Sequence, residues 1–159
     1  NKITCENYLF AYGNAFDIPY TIFRICVPYG QLIPGDYSYG TFGFMLNQAQ
    51  NAKAISLYGK GEPARTFSHV RDICTLIGEV SQLSVSKGKT YNIGGSDNYD
   101  LKTLAEKVAK KIGAKVIFKD WPAIDLAIES GDTMFDDSRI QEDYPYEYQG
   151  DLDTFIQNL

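Results

Sequence analysis

The sequence predicts an α/β fold in which strands alternate with helices. Three observations carry this. The run "YTIFRICV" (20–27) is nearly continuous in apolar and β-favouring residues, as in a strand covered on both faces of a parallel sheet. The stretch "SHVRDICTLIGEVSQLSV" sets Val70, Ile73, Ile77, Val80 and Leu83 on one face at helical spacing. Short β-rich runs, "AISLYG", "KTYNIGG" and "KVIFKD", recur between helical patterns.

In chain order, "NKITCENYLFAYGNAF" carries apolar Cys5, Leu9, Tyr12 and Phe16 at helical steps. Pro19 closes that helix, because proline disfavours helix at the residue before it. After the strand at 20–27, "PYGQLIPGDYSYG" is dense in breakers and reads as a long loop. "TFGFMLNQAQN" reads as a helix and "AISLYG" as a short strand. "YGKGEPART" is a turn, with Gly59 and Gly61 permitting positive φ and Pro63 setting the next turn. "KTYNIGG" runs as a strand into a glycine turn. In "SDNYDLKTLAEKVAKKIG", Asp100 sits where an N-cap belongs, Leu101, Leu104, Val108 and Ile112 form the buried stripe, and Gly113 stops the helix. "KVIFKD" is a further strand. "WPAIDLAIESGDTMFDDSRIQEDYPYEYQG" reads as irregular or short helical structure, and "DLDTFIQNL" as a closing helix. The strands number about four, fewer than a doubly wound sheet uses. The strand at 20–27 needs neighbours on both edges, so the reading expects an N-terminal part upstream of Asn1.

A length of 159 residues suits about one domain. A net charge of −5 argues against a nucleic-acid or anionic-membrane surface, which needs a basic patch. Any anion site must therefore be local, built from one or two arginines. No run approaches the ~18 apolar residues of a membrane helix, no signal peptide is present, and the chain reads as cytoplasmic. Cys5, Cys26 and Cys74 form no C-x-x-C pair and read as buried reduced thiols. His69, the only histidine, suits packing better than general-base duty. The acidic cluster "FDDSRIQEDYPYEYQ" suits a solvated surface better than a metal site, and no metal is expected.

The stretch "LYGKGEPARTFSHVRD" lacks the G-x-x-x-x-G-K-[ST] pattern of a phosphate loop, so its glycines belong to a turn. Phe67 reads as core. Arg65 is either a solvated arginine or an anion ligand. A guanidinium offers a planar fork of donors and keeps its charge at any working pH.

"NKITCENYLFAY", "FRICVPYG", "YGKGEPARTFSHVRD", "TYNIGG" and "GDTMFDDSRI" together, in this order, resemble the C-terminal part of extended short-chain dehydrogenase/reductases. The group in question is the NAD-dependent nucleotide-sugar epimerases and dehydratases. The resemblance covers nearly the whole chain. It implies that residues 1–30 are the last helix and strand of a Rossmann-like nucleotide-binding domain. Residues 31–159 would be a small α/β substrate-binding domain, with 66–95 returning to the Rossmann sheet. It also implies that Arg65 grips a nucleotide-sugar diphosphate, that Ser56 and Tyr58 run beside the nucleotide base, and that Asp132 accepts a ribose hydroxyl. Val27 would face the sugar or nucleotide, within a sugar pocket near Val27 to Tyr39, while Ile25 and Cys26 would border NAD or NADP.

Lys2 matches the family's catalytic lysine, four residues after a tyrosine that would precede residue 1. That lysine binds the nicotinamide ribose and lowers the tyrosine pKa. A charge about 4 Å away at an effective dielectric of 20 is worth ~4 kcal/mol, roughly three units on a tyrosine near 10. The family's dinucleotide turn and catalytic Ser/Thr would also lie upstream.

The sequence departs from the pattern at several positions. The asparagine of R-x-x-N is Val27, the acid after the phosphate arginine is Thr66, and Arg71 stands where an aspartate is usual, although Asp72 remains. Glu129 replaces an arginine that often precedes the G-D pair, so a second positive charge is absent unless Arg71 or Arg139 supplies it. The expected function is the substrate-binding portion of a nucleotide-sugar epimerase, dehydratase or reductase, inactive as an isolated chain and homo-oligomeric. A non-catalytic nucleotide-sugar-binding relative is the alternative. A plain interaction domain would rest only on the tyrosines of "YPYEY".

Overall fold

The computed structural model describes residues 1–30 and 40–159. The expected loop at 28–40, and with it Tyr39 and most of the anticipated sugar pocket, falls largely outside the described residues. The described chain runs α1 (Lys2–Phe16), β1 (Thr21–Ile25), β2 (Val27–Tyr29), α2 (Thr41–Ala52), β3 (Ala54–Tyr58), β4 (Ala64–His69), α3 (Val70–Val80), β5 (Lys89–Ile93), β6 (Asp97–Asp100), α4 (Leu101–Ile112), β7 (Lys115–Lys119), α5 (Ala123–Ile128), α6 (Ser138–Asp143) and α7 (Leu152–Gln157). It is an α/β architecture with parallel strand pairs, as expected.

The strand at 20–27 is not continuous. β1 pairs in parallel with β5, from Thr21 opposite Lys89 to Ile25 opposite Ile93. The chain then turns at Cys26 and enters a second sheet as β2, beside β4 and, beyond it, antiparallel β6. A third sheet pairs β3 with β7. Among the described residues β1 has one neighbour, not two, and Arg24 and Ile25 are exposed. Apolar content alone does not report how many edges a strand has paired.

The sequence reading missed β4 and β6. Their polar residues, in "ARTFSH" and "DNYD", hide the strand pattern. The buried hydroxyl of Thr66 is satisfied across them, donating to Asn98 Oδ1 at 2.6 Å and accepting from the Phe135 backbone N–H at 3.0 Å.

Two apolar clusters organise the molecule. One joins α2, β3, α4 and α7 through Met45, Leu46, Ile55, Leu104, Val108 and Leu152. The other packs α3 on β5 through Ile73, Leu76, Val80, Tyr91 and Ile93. α4 follows its sequence signals: Asp100 accepts from the Thr103 backbone N–H at 2.7 Å, and Gly113 ends the helix at φ 75°. Leu104 and Val108 are buried, while Leu101 and Ile112 pack at the margin. In α3, Ile73 and Val80 are buried as expected, but Leu76 supplies the rest of the stripe and Leu83 lies past the helix end.

α1 forms as expected, yet none of its residues is buried. Cys5, Leu9, Tyr12 and Phe16 stand exposed instead of forming a core stripe. The helix is held to β1 by Glu6, which accepts two hydrogen bonds from Arg24 at 2.6 and 2.9 Å, and by an edge contact of Phe10 on Tyr20.

The acidic and tyrosine-rich segment is not the expected solvated surface. Asp143 accepts from Lys89 at 2.6 Å and from Tyr91 at 2.7 Å. Tyr146 donates to buried Asp72 at 2.8 Å and Tyr148 to Asp137 at 2.5 Å. Tyr144, Tyr146 and Tyr148 pack on the α3–β5 cluster, so "YPYEY" serves packing.

Candidate functional site

The switch of the chain from one sheet to another at Cys26 opens a crevice. Strands that part company leave a gap beyond their carboxyl ends, where open α/β sheets take ligands. A cavity of ≈ 630 Å³ lies there, lined by Ile25, Cys26, Val27, Pro28, Thr41, Phe44, Arg65, Thr133 and Phe135, with Gly40. The size is that of a ligand cleft. Arg65 is the one charged residue among the described lining residues. The structure therefore brings together Ile25, Cys26, Val27 and Arg65, which lie 38–40 positions apart in the sequence at their far ends.

Cys26 contributes little reactive surface. Its side chain is buried, the thiol donates to the Gly94 carbonyl at 3.1 Å, and burial pushes its pKa up to about 12, with Asp137 and Asp97 adding to the rise. Ile25, by contrast, is exposed at the cavity. Behind β2, Tyr29 donates to Asp97 at 3.1 Å; burial raises both groups above their usual values.

Arg65 is held by the segment that follows α5. Thr133 bridges to Arg65 in parallel, with the Thr133 N–H donating to the Ala64 carbonyl at 2.9 Å and Thr66 N–H to the Thr133 carbonyl at 3.2 Å. Gly131, at φ 71°, turns the chain so that its carbonyl accepts from Arg65 Nη1 at 2.5 Å. Arg65 Nη1 also donates to the Ala64 carbonyl at 2.9 Å, and Nη2 donates to Glu129 Oε1 at 3.1 Å. Glu129 Oε1 accepts the Gly131 N–H as well, at 2.9 Å. The two side chains of this ion pair are only 16% and 21% exposed. Asp132 sits on the same turn, exposed, and accepts from the Ala64 backbone N–H at 2.8 Å.

A second cavity of ≈ 320 Å³ shares Thr41 and Phe44 with the first. Ser56, Tyr58, Gln48, Lys119 and Trp121 are among its lining residues. Tyr58 and Trp121 lie with ring centroids 5.1 Å apart, and Ser56 N–H donates to Gln48 Oε1 at 2.8 Å. The turn after Tyr58 needs its glycines: a Cβ on Gly59, at φ 57°, would lie 2.6 Å from the Trp121 indole nitrogen. Together the two cavities offer an aromatic, amide-bearing end and a mostly apolar end with one guanidinium. An extended ligand with an aromatic head and an anionic centre fits that order of groups.

Lys2 is exposed at the start of α1 and lines neither cavity. His69 caps α3, its Nδ1 accepting the Arg71 N–H at 3.2 Å, and its ring packs edge-on to Tyr29. Phe67 is fully buried in the core. Cys5 and Cys74 are exposed, against the expectation that all three thiols are buried. Sequence reading missed Thr41, Phe44, Trp121, Thr133 and Phe135 as lining residues. Trp121 comes to the Gly59 turn only through the fold, 62 positions away in the chain, so the sequence carried no signal for it.

The model of the NAD dependent epimerase/dehydratase family matches residues 1–94. An uncharacterized UDP-glucose epimerase of Bacillus subtilis (strain 168) is 29% identical over 96 residues, 60% of this chain and 29% of that protein. The UDP-glucose 4-epimerase of Thermotoga maritima, solved with UDP-glucose, superposes with a TM-score of 0.83 over 98% of this chain and 49% of that one, at 18% identity. The dTDP-glucose 4,6-dehydratase of Bacillus anthracis, solved with NAD, gives 0.79 over 96% and 47%, at 20% identity. These solved structures establish the Rossmann-like fold. The chain spans less than half the length of the curated relatives it matches.

Proposed function

The chain belongs to the NAD-dependent epimerase/dehydratase family, and from that premise we propose that it is the substrate-binding portion of a nucleotide-sugar epimerase, dehydratase or reductase. The observation that carries the proposal is the cavity at the Cys26 sheet switch, where Arg65 meets Ile25, Cys26 and Val27. In this reading the nucleobase lies in the adjoining cavity against Ser56, Tyr58 and Trp121. The phosphates approach Arg65, Asp132 accepts a ribose hydroxyl, and the sugar rests near Val27. The β1–β5 pairing supports assigning residues 1–30 to the nucleotide-binding domain, with 66–95 returning to its sheet and 31–159 otherwise forming the substrate-binding domain.

NAD or NADP would supply hydride acceptance and return. Of the residues assigned to it, Ile25 lines the cavity and would border its nicotinamide end, while Lys2, exposed at the start of α1, would hold the ribose. Lys2 would carry the positive charge that meets the nicotinamide ribose and Arg65 would orient the phosphates, with Phe44 and Phe135 walling the cavity. The isolated chain is without turnover in this reading, and the whole protein is a cytoplasmic homo-oligomer. Among the described residues no helix is long and apolar enough to cross a membrane.

The test is affinity for a UDP-sugar by calorimetry on the full protein. Arg65→Ala weakens binding by ~1.5–3 kcal/mol, since a charge-assisted hydrogen bond is lost. Arg65→Lys recovers part, because the planar fork is gone. Unchanged affinity in the alanine variant returns Arg65 to a structural role. A second reading, a non-catalytic nucleotide-sugar-binding relative, is favoured by one observation, the Glu129 carboxylate already seated on Arg65. Turnover by the full protein with a nucleotide sugar and NAD excludes it.

A further inference from the structure

The guanidinium that would meet a ligand's phosphates already has an anion. Glu129 Oε1 lies 3.1 Å from Arg65 Nη2 and is fixed there by the Gly131 N–H. The pair is mostly withdrawn from solvent, where screening is weak. Arg65 is also the only charge among the described residues lining the cavity, so Glu129 cancels its one positive charge. We propose that Glu129 is a specificity-determining residue, an internal counter-anion that competes with a ligand's phosphate groups for Arg65 and so sets the cavity's affinity for diphosphates.

The geometry gives the competition a physical form. Arg65 Nη1 is committed to the Ala64 and Gly131 carbonyls, which fix the side chain whatever the ligand. Nη2, bonded to Glu129, is the donor a phosphate would contest. A diphosphate brought to that edge either displaces the carboxylate or sits beside it against like-charge repulsion. A neutral ligand part meets neither cost. The cavity thus weights base and sugar contacts over phosphate charge, an arrangement in which discrimination comes from a repulsive element. Glu129 lies on the same short turn as Gly131 and Asp132, and that turn is tied to β4 by the Thr133–Ala64 and Thr66–Thr133 backbone bonds and by Asp132 on the Ala64 N–H.

This rests on the reading of the cavity as a nucleotide-sugar site, and the experiment separates the two. Calorimetry on the full protein compares inorganic pyrophosphate, uridine, uridine diphosphate and a UDP-sugar as probes. The variants are Glu129→Gln, which keeps an oxygen for the Gly131 N–H, and Glu129→Ala, each checked for folding by thermal melting. Both variants are expected to bind pyrophosphate and uridine diphosphate about tenfold or more tightly than the parent, with uridine unchanged. The gain shrinks as salt is raised. Unchanged or weaker diphosphate binding in both variants overturns the proposal, as does an equal gain for uridine. If pyrophosphate binding tightens while the UDP-sugar binds no better than pyrophosphate, the counter-anion role stands and the nucleotide-sugar reading falls. If the UDP-sugar binds the parent and Arg65→Ala weakens it but neither Glu129 variant tightens it, the reading stands and the proposal falls. If no probe binds any variant, both fall.

Discussion

At the level of single residues, environment and not residue type decides behaviour. The three cysteines look alike in sequence, and none forms a motif. In the fold Cys26 is buried with its thiol on the Gly94 carbonyl, and burial pushes its pKa up to about 12, so it holds almost no thiolate at neutral pH. Cys5 and Cys74 are exposed. A thiol reagent on the native protein at pH 8 is therefore expected to label Cys5 and Cys74 rapidly and Cys26 only after denaturation. Peptide mapping by mass spectrometry checks this, and labelling of native Cys26 at the rate of the others contradicts the buried assignment. Arg65 teaches the same lesson: its charge was legible in the sequence, but its partner 64 positions away was not.

At the level of elements, α4 is the part most fully written in its own sequence, because capping and periodicity are local. Asp100 accepts from both the backbone N–H and the hydroxyl of Thr103, at 2.7 Å each, and the backbone bond is the main cause holding its pKa below the usual 3.8. Asp100→Ala is expected to cost about 1 kcal/mol at pH 7, the usual worth of an N-cap. A depressed folded pKa stabilises the fold above the unfolded value and loses that contribution as pH falls through the folded value. The gap between parent and variant should therefore be constant from pH 7 to about 5 and close below the ordinary 3.8. Urea titrations at several pH values measure it; a gap that widens in acid would refute the cap. β4 and β6 lie at the opposite extreme, since polar side chains inside them find partners far along the chain: Thr66 bonds Asn98 and the Phe135 N–H, and Asp97 accepts from Tyr29 and the Leu152 N–H.

For the whole molecule the notable surface is apolar. Ile3, Tyr8, Leu9, Tyr12, Phe16 and Ile18 stand exposed on and after α1, next to β1, whose one partner among the described residues is β5. So many large apolar side chains left exposed on one element, together with an unpaired strand edge, invite another chain. The 159-residue chain produced alone is expected to self-associate. Light scattering with intact-mass measurement tests this, and a stable soluble monomer of this chain's mass would show that α1 and β1 need no cover.

The α/β class, the capped helix α4, the glycine turn at 59–61 and, through ordered motifs, the family are all legible along the chain. Each of these is encoded by near neighbours or by a fixed order along the chain, which a linear reading can see. The division of the run at 20–27 between two sheets at Cys26, the exposure of the apolar residues of α1, and the hold of Glu129 on Arg65 come from the folded chain alone. Those outcomes depend on which distant strand accepts a hydrogen bond and where a distant turn delivers a carboxylate. Residue type carries the capacity for such contacts, and the fold alone chooses the partner.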